Sequence, residues 1–170
     1  MTKELDNIRR QLTLFVQYKD SLSIEKIREE YNPLQSVLIK CHVTLCREDE
    51  ITNLEVIIEN LNHLKQRSFF IEFHNPTRFE NGLGVLLPAK AKNIEFLELR
   101  RVILKGIIDN PRLLDPHITL MHPRNSICTN EIFAEIENAN LPKRLNFNKI
   151  SLIEQINGRQ WNILQEFELM

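Results

Sequence analysis

The stretch SVLIKCHVTLC, residues 36–46, decides the reading of this chain, and the shorter PHITLM, residues 116–121, repeats its centre. Both are rich in β-branched and aliphatic residues over a length suited to a strand. In each, a histidine is followed by a β-branched residue, a threonine and a leucine: His42-Val43-Thr44-Leu45 and His117-Ile118-Thr119-Leu120. Strand side chains alternate between faces, so His42 and Thr44 point one way and Val43 and Leu45 the other, and the second copy behaves alike. Each copy therefore offers an imidazole and a hydroxyl on one surface, anchored from behind by apolar residues. A strand fixes the direction of such groups better than a loop does. One such tetrapeptide alone is a weak signal, commonly a satisfied polar pair at a strand end. Its duplication gives it weight.

Outward from these motifs, residues 12–18 (LTLFVQY) predict a first strand, and Ser23 is placed to cap a helix through Tyr31, with Pro33 just beyond. Thr52 precedes a helical pattern in which Leu54, Ile57, Ile58, Leu61 and Leu64 recur at steps of three and four. Residues 69–73 and 83–87 predict two more strands, with Asn75–Pro76 and Asn81–Gly82 supplying turns between them. Asn93 is placed to cap a helix carrying Ile94, Leu97, Arg101 and Leu104, and Thr129 opens another that reaches about Asn140. Closing strands over about 145–155 and 160–169 meet at Asn157–Gly158. Hairpin-like signals outweigh βαβ repeats, so the expected class is α+β, with largely antiparallel sheets and helices covering one face of each.

A length of 170 residues suits one domain over 1–170, or two small lobes sharing a core, and the 42% apolar and 26% charged fractions are ordinary for a globular protein. A net charge of −1, from 22 basic and 23 acidic residues, argues against an extended nucleic-acid surface. It leaves room for a small phosphate ester in a local pocket. Cys41, Cys46 and Cys128 fit no zinc spacing and read as free thiols of a reducing cytoplasm. Residues 1–10 are charged and carry no apolar signal core, and no window is apolar enough to span a bilayer. The expectation is a cytoplasmic monomer with no membrane contact.

The pair HVTL and HITL in a chain of this length resembles the 2H phosphoesterases, also called the 2′-5′ RNA ligase-like superfamily, whose pattern is a histidine, any residue, a threonine or serine, then an apolar residue, occurring twice. The resemblance implies a two-lobed βα fold with a pseudo-twofold, its sheets lining a central cleft and its helices outside. It further implies a metal-independent phosphodiesterase, free of cofactors, acting on nucleotide or RNA-end phosphodiesters such as 2′,3′-cyclic phosphates or 2′-5′ linkages. Reverse RNA ligation would follow from the same chemistry. The catalytic set carried over is His42, Thr44, His117 and Thr119. The alternative is a non-catalytic nucleotide- or RNA-binding module that retains the cleft. A degenerate member would commonly lose a histidine or a threonine, and none of the four is lost in this chain.

Those residue types meet the needs of phosphodiester cleavage. Water must lose a proton and the leaving ribose oxygen must gain one, and imidazoles titrating at about pH 6.5 can do both if one starts neutral and the other protonated. Thr44 and Thr119 can donate O–H groups to the non-bridging oxygens. The sequence does not fix which histidine is base; the working expectation has His117 as base and His42 as acid. Their rings are expected to lie about 5–8 Å apart, a hydrogen-bond reach on either side of a phosphate. A histidine-ligated metal centre has little support, since Asp115 is the only acid close before the second motif and no compact carboxylate cluster appears.

Arg47, His122 and Arg124 are candidate substrate-binding residues, against the competing reading of solvated strand-to-loop corners. Cys46 reads as a small buried apolar residue, His63 as a favourable C-terminal helix cation and His74 as a turn residue. Phe15, Tyr18 and Phe79 could stack on a base, although strand aromatics are more often core, and Trp161 reads as packing.

Overall fold

The computed structural model describes residues 6–170. In chain order these form β1 (Ile8–Phe15), α1 (Tyr18–Tyr31), α2 (Pro33–Ser36), β2 (His42–Cys46), α3 (Leu54–Asn62), β3 (Phe69–Glu72), β4 (Thr77–Arg78), β5 (Val85–Pro88), α4 (Ile94–Ile103), β6 (His117–Met121), α5 (Asn130–Glu137), β7 (Arg144–Phe147), β8 (Lys149–Ile156) and β9 (Asn162–Glu168). A seven-stranded sheet runs in the order β4-β5-β6-β2-β1-β8-β9, and β3 pairs with β7 in a second, two-stranded sheet. Every strand pair is antiparallel, which bears out the α+β expectation. The motif strands β2 and β6 adjoin at the centre, each with a further partner outside it, β1 and β5 respectively.

The apolar alternation of the motifs does what strand geometry demands. Val43, Leu45, Ile118 and Leu120 are buried, whereas His42, Thr44, His117 and Thr119 are half-exposed. The buried residues join one core with Ile24 and Ile27 of α1, Ile57 and Leu61 of α3, Phe96, Leu99 and Ile103 of α4, and Ile136 of α5. Asn53 and Thr129 accept from the amides of Val56 and Ile132 as true N-caps of α3 and α5. Asn157 and Gly158 both take positive φ, 52° and 70°, as a tight turn joining β8 to β9 requires.

Several sequence expectations move. The first strand starts at Ile8 and stops at Phe15, and Tyr18 begins α1, so the helix starts five residues before Ser23. Pro33 does not merely follow that helix: it occupies the first turn of the short α2, where its missing N–H costs nothing. The strand predicted over 36–46 shrinks to its last part, because Ser36 ends α2 and the backbone turns before His42. Residues 69–73 and 83–87 both hold strands as expected, and they meet through an isolated antiparallel bridge from Phe73 to Ala89. β3 pairs with β7, and the intervening β4 pairs with β5. Asn93 precedes α4, but its amide donates to the Lys90 and Ala91 carbonyls and makes no helix cap. The first closing strand is two: Asn148 separates β7, which leaves for the small sheet, from β8, which joins β1.

β2 is held at both ends by buried ion pairs. Before it, Arg28 donates to Glu25 and to the Ile39 carbonyl, both at 2.8 Å, while the Cys41 amide donates to Glu25. After it, Arg100 donates to the Leu45 carbonyl and, at 2.6 Å, to Glu50, which also accepts from the Arg47 amide at 2.9 Å. Burial works against the Glu50 carboxylate, but donation from Arg100 and the Arg47 amide, with the Arg100 and Arg112 charges, holds its pKa below the usual range. Removing one partner of such a pair strands the other charge. Glu50→Ala should therefore lower unfolding free energy by about 3–5 kcal/mol in urea titrations, and a loss below about 1 kcal/mol would show that Arg100 finds full compensation elsewhere.

Candidate active site

The link between β2 and β6 is the register Val43↔Ile118. In an antiparallel pair this sets His42 across from Thr119 and Thr44 across from His117. All four lie on the face opposite to the buried Val43 and Ile118. The outer strands extend both rows, with Phe15 opposite His42 and Thr13 opposite Thr44 on β1, and Leu86 opposite Thr119 and Pro88 opposite His117 on β5. The two histidines are thus diagonal neighbours, a relation of about 7–8 Å in an antiparallel sheet.

Each imidazole is oriented in the same way. The His42 Nδ1 lies 2.7 Å from the Lys40 carbonyl, and the His117 Nδ1 lies 3.0 Å from the Asp115 carbonyl. A carbonyl only accepts, so each Nδ1 carries the proton and donates it. That leaves each Nε2 to take a proton when the ring is neutral, or to give one when it is charged. An aromatic ring packs edge-on against each histidine, Phe15 on His42 at 5.9 Å and Phe79 on His117 at 6.2 Å between centroids. These contacts correct the reading of Phe15 and Phe79 as core aromatics. Both are half-buried and brace the histidines.

The His42 residue is half-exposed, but its ring is packed closely enough that burial pushes it down to about 4, a shift deepened by the positive charges of Arg28 and His117 and resisted by the Lys40 carbonyl and Glu25. His42 is therefore neutral across the physiological range.

Two cavities flank the motifs, lined by neighbours of the imidazoles and not by the imidazoles themselves. The larger, about 890 Å³, is mostly apolar and includes Phe15, Tyr18, Leu22, Val37, Ile163 and Trp161. The other, about 580 Å³, opens on Thr44 and gathers Arg9, Arg47, His122, Arg124 and Trp161. The three rim residues singled out from sequence therefore meet in one place. Arg124 donates its amide to the His122 Nδ1 at 3.1 Å. Burial, then the charges of Arg124 and Arg9, lowers the His122 pKa. Trp161, read as packing, separates the two cavities and carries the Arg9 guanidinium 5.4 Å above its ring. The Asn157–Gly158 turn that brings it back is legible in the sequence, but where the returning chain lies is set by the pairing of β8 with the distant β1. Tyr18 is 79% exposed and is not core. Cys46 is fully buried and pushed up to about 12 by burial, and so inert as a nucleophile. His63 turns its Nδ1 to the Glu59 carbonyl at 2.8 Å. Among the described residues no group of three or more His, Cys, Asp or Glu side chains is arranged to hold a metal ion, and no helix is long and apolar enough to cross a membrane.

No protein-family model and no curated protein sequence matches the chain. Solved structures do. Escherichia coli LigT in apo form superposes with a TM-score of 0.70 at 15% identity, over 98% of this chain and 99% of that one. The same protein complexed with 3′-AMP gives 0.69 at 15% identity over 96% and 98%, and a structure described as a phosphoesterase gives 0.67 at 14% identity over 95% and 98%. The chain has the LigT-like fold, the one expected from its two motifs. At these identities the likeness speaks for the fold alone.

The His42 environment has a direct readout. Its ring should titrate by NMR with a midpoint of about 4, against about 6.5 for an unperturbed histidine. Because the folded pKa is the lower one, the stability that His42 contributes is complete above about pH 6.5 and is lost as pH falls towards 4. A midpoint near 6.5 would mean that water reaches the ring freely.

Proposed function

We propose that this protein is a metal-independent phosphodiesterase of the 2H type that cleaves nucleotide or RNA-end phosphodiesters through His42 and His117. The observation that carries this reading is the crossed pairing His42–Thr119 and Thr44–His117 about the Val43–Ile118 register. It supplies an imidazole and a hydroxyl on either side of one point, which is what in-line displacement at phosphorus requires. Supporting it are the outward Nε2 atoms, each fixed by donation from Nδ1 to a backbone carbonyl. The LigT-like fold adds weight, since LigT has been solved with phosphate, ATP, NADP+ and 3′-AMP.

The depressed pKa of His42 favours a division of labour opposite to the one expected from sequence. A base must start neutral, and His42 does. In this reading the His42 Nε2 takes a proton from water as it attacks phosphorus. His117, protonated, gives its Nε2 proton to the departing ribose oxygen. Thr44 and Thr119 donate to the non-bridging oxygens, where negative charge grows. The P–O bond to ribose breaks, a new P–O bond to water forms, and the two histidines exchange protonation states, to be reset by solvent. With a ribose hydroxyl of a second strand in place of water, the same proton transfers would form a new phosphodiester linkage and amount to ligation.

Hydrolysis of a 2′,3′-cyclic mononucleotide by purified protein tests the reading. Turnover should persist in EDTA, and His42→Ala and His117→Ala should each remove most of it, with the double variant little worse because the residues act as a unit. Activity abolished by EDTA and restored by a divalent ion would recast the histidines as ligands. Thr44→Val and Thr119→Val should keep the circular dichroism spectrum and each cost about 2–4 kcal/mol in transition-state stabilisation; full activity in both would make the hydroxyls structural. The role assignment has its own signature. The acid limb of kcat/KM reports the base of the free protein, so it should extend down towards pH 4; a limb near the ordinary histidine value would return the base role to His117.

A further inference from the structure

The basic cavity beside Thr44 is not the place where the two imidazoles meet, because neither His42 nor His117 lines it and Thr44 alone of the motif residues does. Its charges are unevenly engaged. Of its two carboxylates, Glu48 accepts from Arg9 at 2.9 Å and Asp49 accepts from Arg112 at 2.6 Å. Arg47 and Arg124 also line the cavity, and among the described residues neither guanidinium is in an ion pair; one terminal nitrogen of Arg124 lies 3.3 Å from the His122 Nε2. Both side chains belong to exposed residues, one directly after β2 and the other three residues after β6, so they approach the cavity from the two motif strands. Gln155 and Trp161 close the remaining side, with the Arg9 guanidinium against the indole.

We propose that this cavity binds a second phosphate of the substrate, one ribose away from the reacting phosphodiester, so that the preferred substrates are nucleotides carrying a 5′-phosphate or a further internucleotide linkage. This deepens the reading above and rests on His42 and His117 being the reacting centre. Two guanidinium forks without carboxylate partners suit a phosphate, which each can meet with paired N–H donors. Thr44 is the hinge of the geometry: its hydroxyl belongs to the reacting centre and its residue forms the cavity wall, so a ribose lying over it has one phosphate on each side. The Trp161 ring offers a flat surface to the sugar or base beyond.

The test compares kcat/KM on three substrates: a nucleoside 2′,3′-cyclic phosphate with a free 5′-hydroxyl, the same compound with a 5′-phosphate, and a dinucleotide ending in a 2′,3′-cyclic phosphate. A second phosphate should raise kcat/KM tenfold or more, and Arg47→Ala and Arg124→Ala should each bring the substrate ratios towards one. A gain for both phosphorylated substrates identifies the phosphate itself as the ligand. A gain for the dinucleotide alone identifies an internucleotide linkage, and a gain for the 5′-phosphate alone identifies a chain end. Equal kcat/KM on all three would overturn the proposal while leaving the reacting centre intact. If no substrate turns over, the reacting-centre reading fails instead, and calorimetry then decides the cavity. A nucleoside 3′,5′-bisphosphate should bind at least tenfold tighter than the 3′-monophosphate, with the gain lost in Arg124→Ala, and equal affinities would rule the cavity out as a phosphate site.

Discussion

The contact on which the rest of this molecule depends is the antiparallel pairing of Val43 with Ile118. It joins the strand pair β1–β2 to the pair β5–β6, and it sets which residues face each other across the join. Side chains alternate with a period of two, so a slip of one residue would set the face of one motif against the back of the other, and a slip of two would set hydroxyl against hydroxyl or imidazole against imidazole. The register is protected by what lies behind it. Val43, Leu45, Ile118 and Leu120 are buried in one core with residues of α1, α3, α4 and α5, and moving them towards solvent would forfeit about 1.5–3 kcal/mol for each large apolar side chain. The ion pairs Glu25–Arg28 and Glu50–Arg100 act on the same problem from the ends, by holding the backbone at Ile39, Cys41, Leu45 and Arg47. In each, the arginine Nε is buried without a hydrogen-bond partner among the described residues. Incompletely satisfied pairs of this kind contribute little net stability. Their effect falls on position, because each fixes a backbone group just outside the strand.

Around that join the two motifs are near copies in geometry and unlike in environment. Both histidines donate from Nδ1 to the carbonyl two residues earlier, and both have an aromatic edge against the ring. The carbonyl contact follows from local sequence and strand geometry, so a duplicated motif reproduces it, whereas the aromatic partners come from distant chain. The burial that pushes His42 down is deepened by the charge of Arg28, which reaches from α1 to the segment before β2 and donates to the Ile39 carbonyl.

How much of this was legible in the sequence depends on the range of the interaction. The motif strands, the Thr129 cap and the Asn157–Gly158 turn were readable because each rests on a pattern a few residues long. The hydrophobic run over 36–46 misled because an apolar stretch does not distinguish a strand from the buried turn that leads into one, and Pro33 starts α2 where it was read as a stop. Residues 69–73 and 83–87 both form strands, but which strands they join is decided by distant chain, and β3 pairs with β7 near the other end of the sequence. Trp161, Phe15 and Phe79 were undervalued for the same reason. An aromatic in a strand is usually core, and only the pairing Phe15↔His42 or the return of the β8–β9 turn makes it part of a site.

The likeness to LigT, nearly complete in coverage at 15% identity, fits this division. An antiparallel join with one buried face asks only for apolar residues of suitable size at alternate positions, and many sequences meet that condition. The proposed reacting centre asks for more, but only at His42, Thr44, His117 and Thr119. Between those two demands lies the cavity lined by Arg9, Arg47, His122, Arg124 and Trp161, whose residues sit after strands, at strand ends or in turns. Their side chains can change without disturbing either the core or the register. In a fold of this kind the rim beyond each motif is therefore free to vary while the join stays fixed. In this chain Arg47 and Arg124 stand there, and neither guanidinium has a carboxylate partner among the described residues.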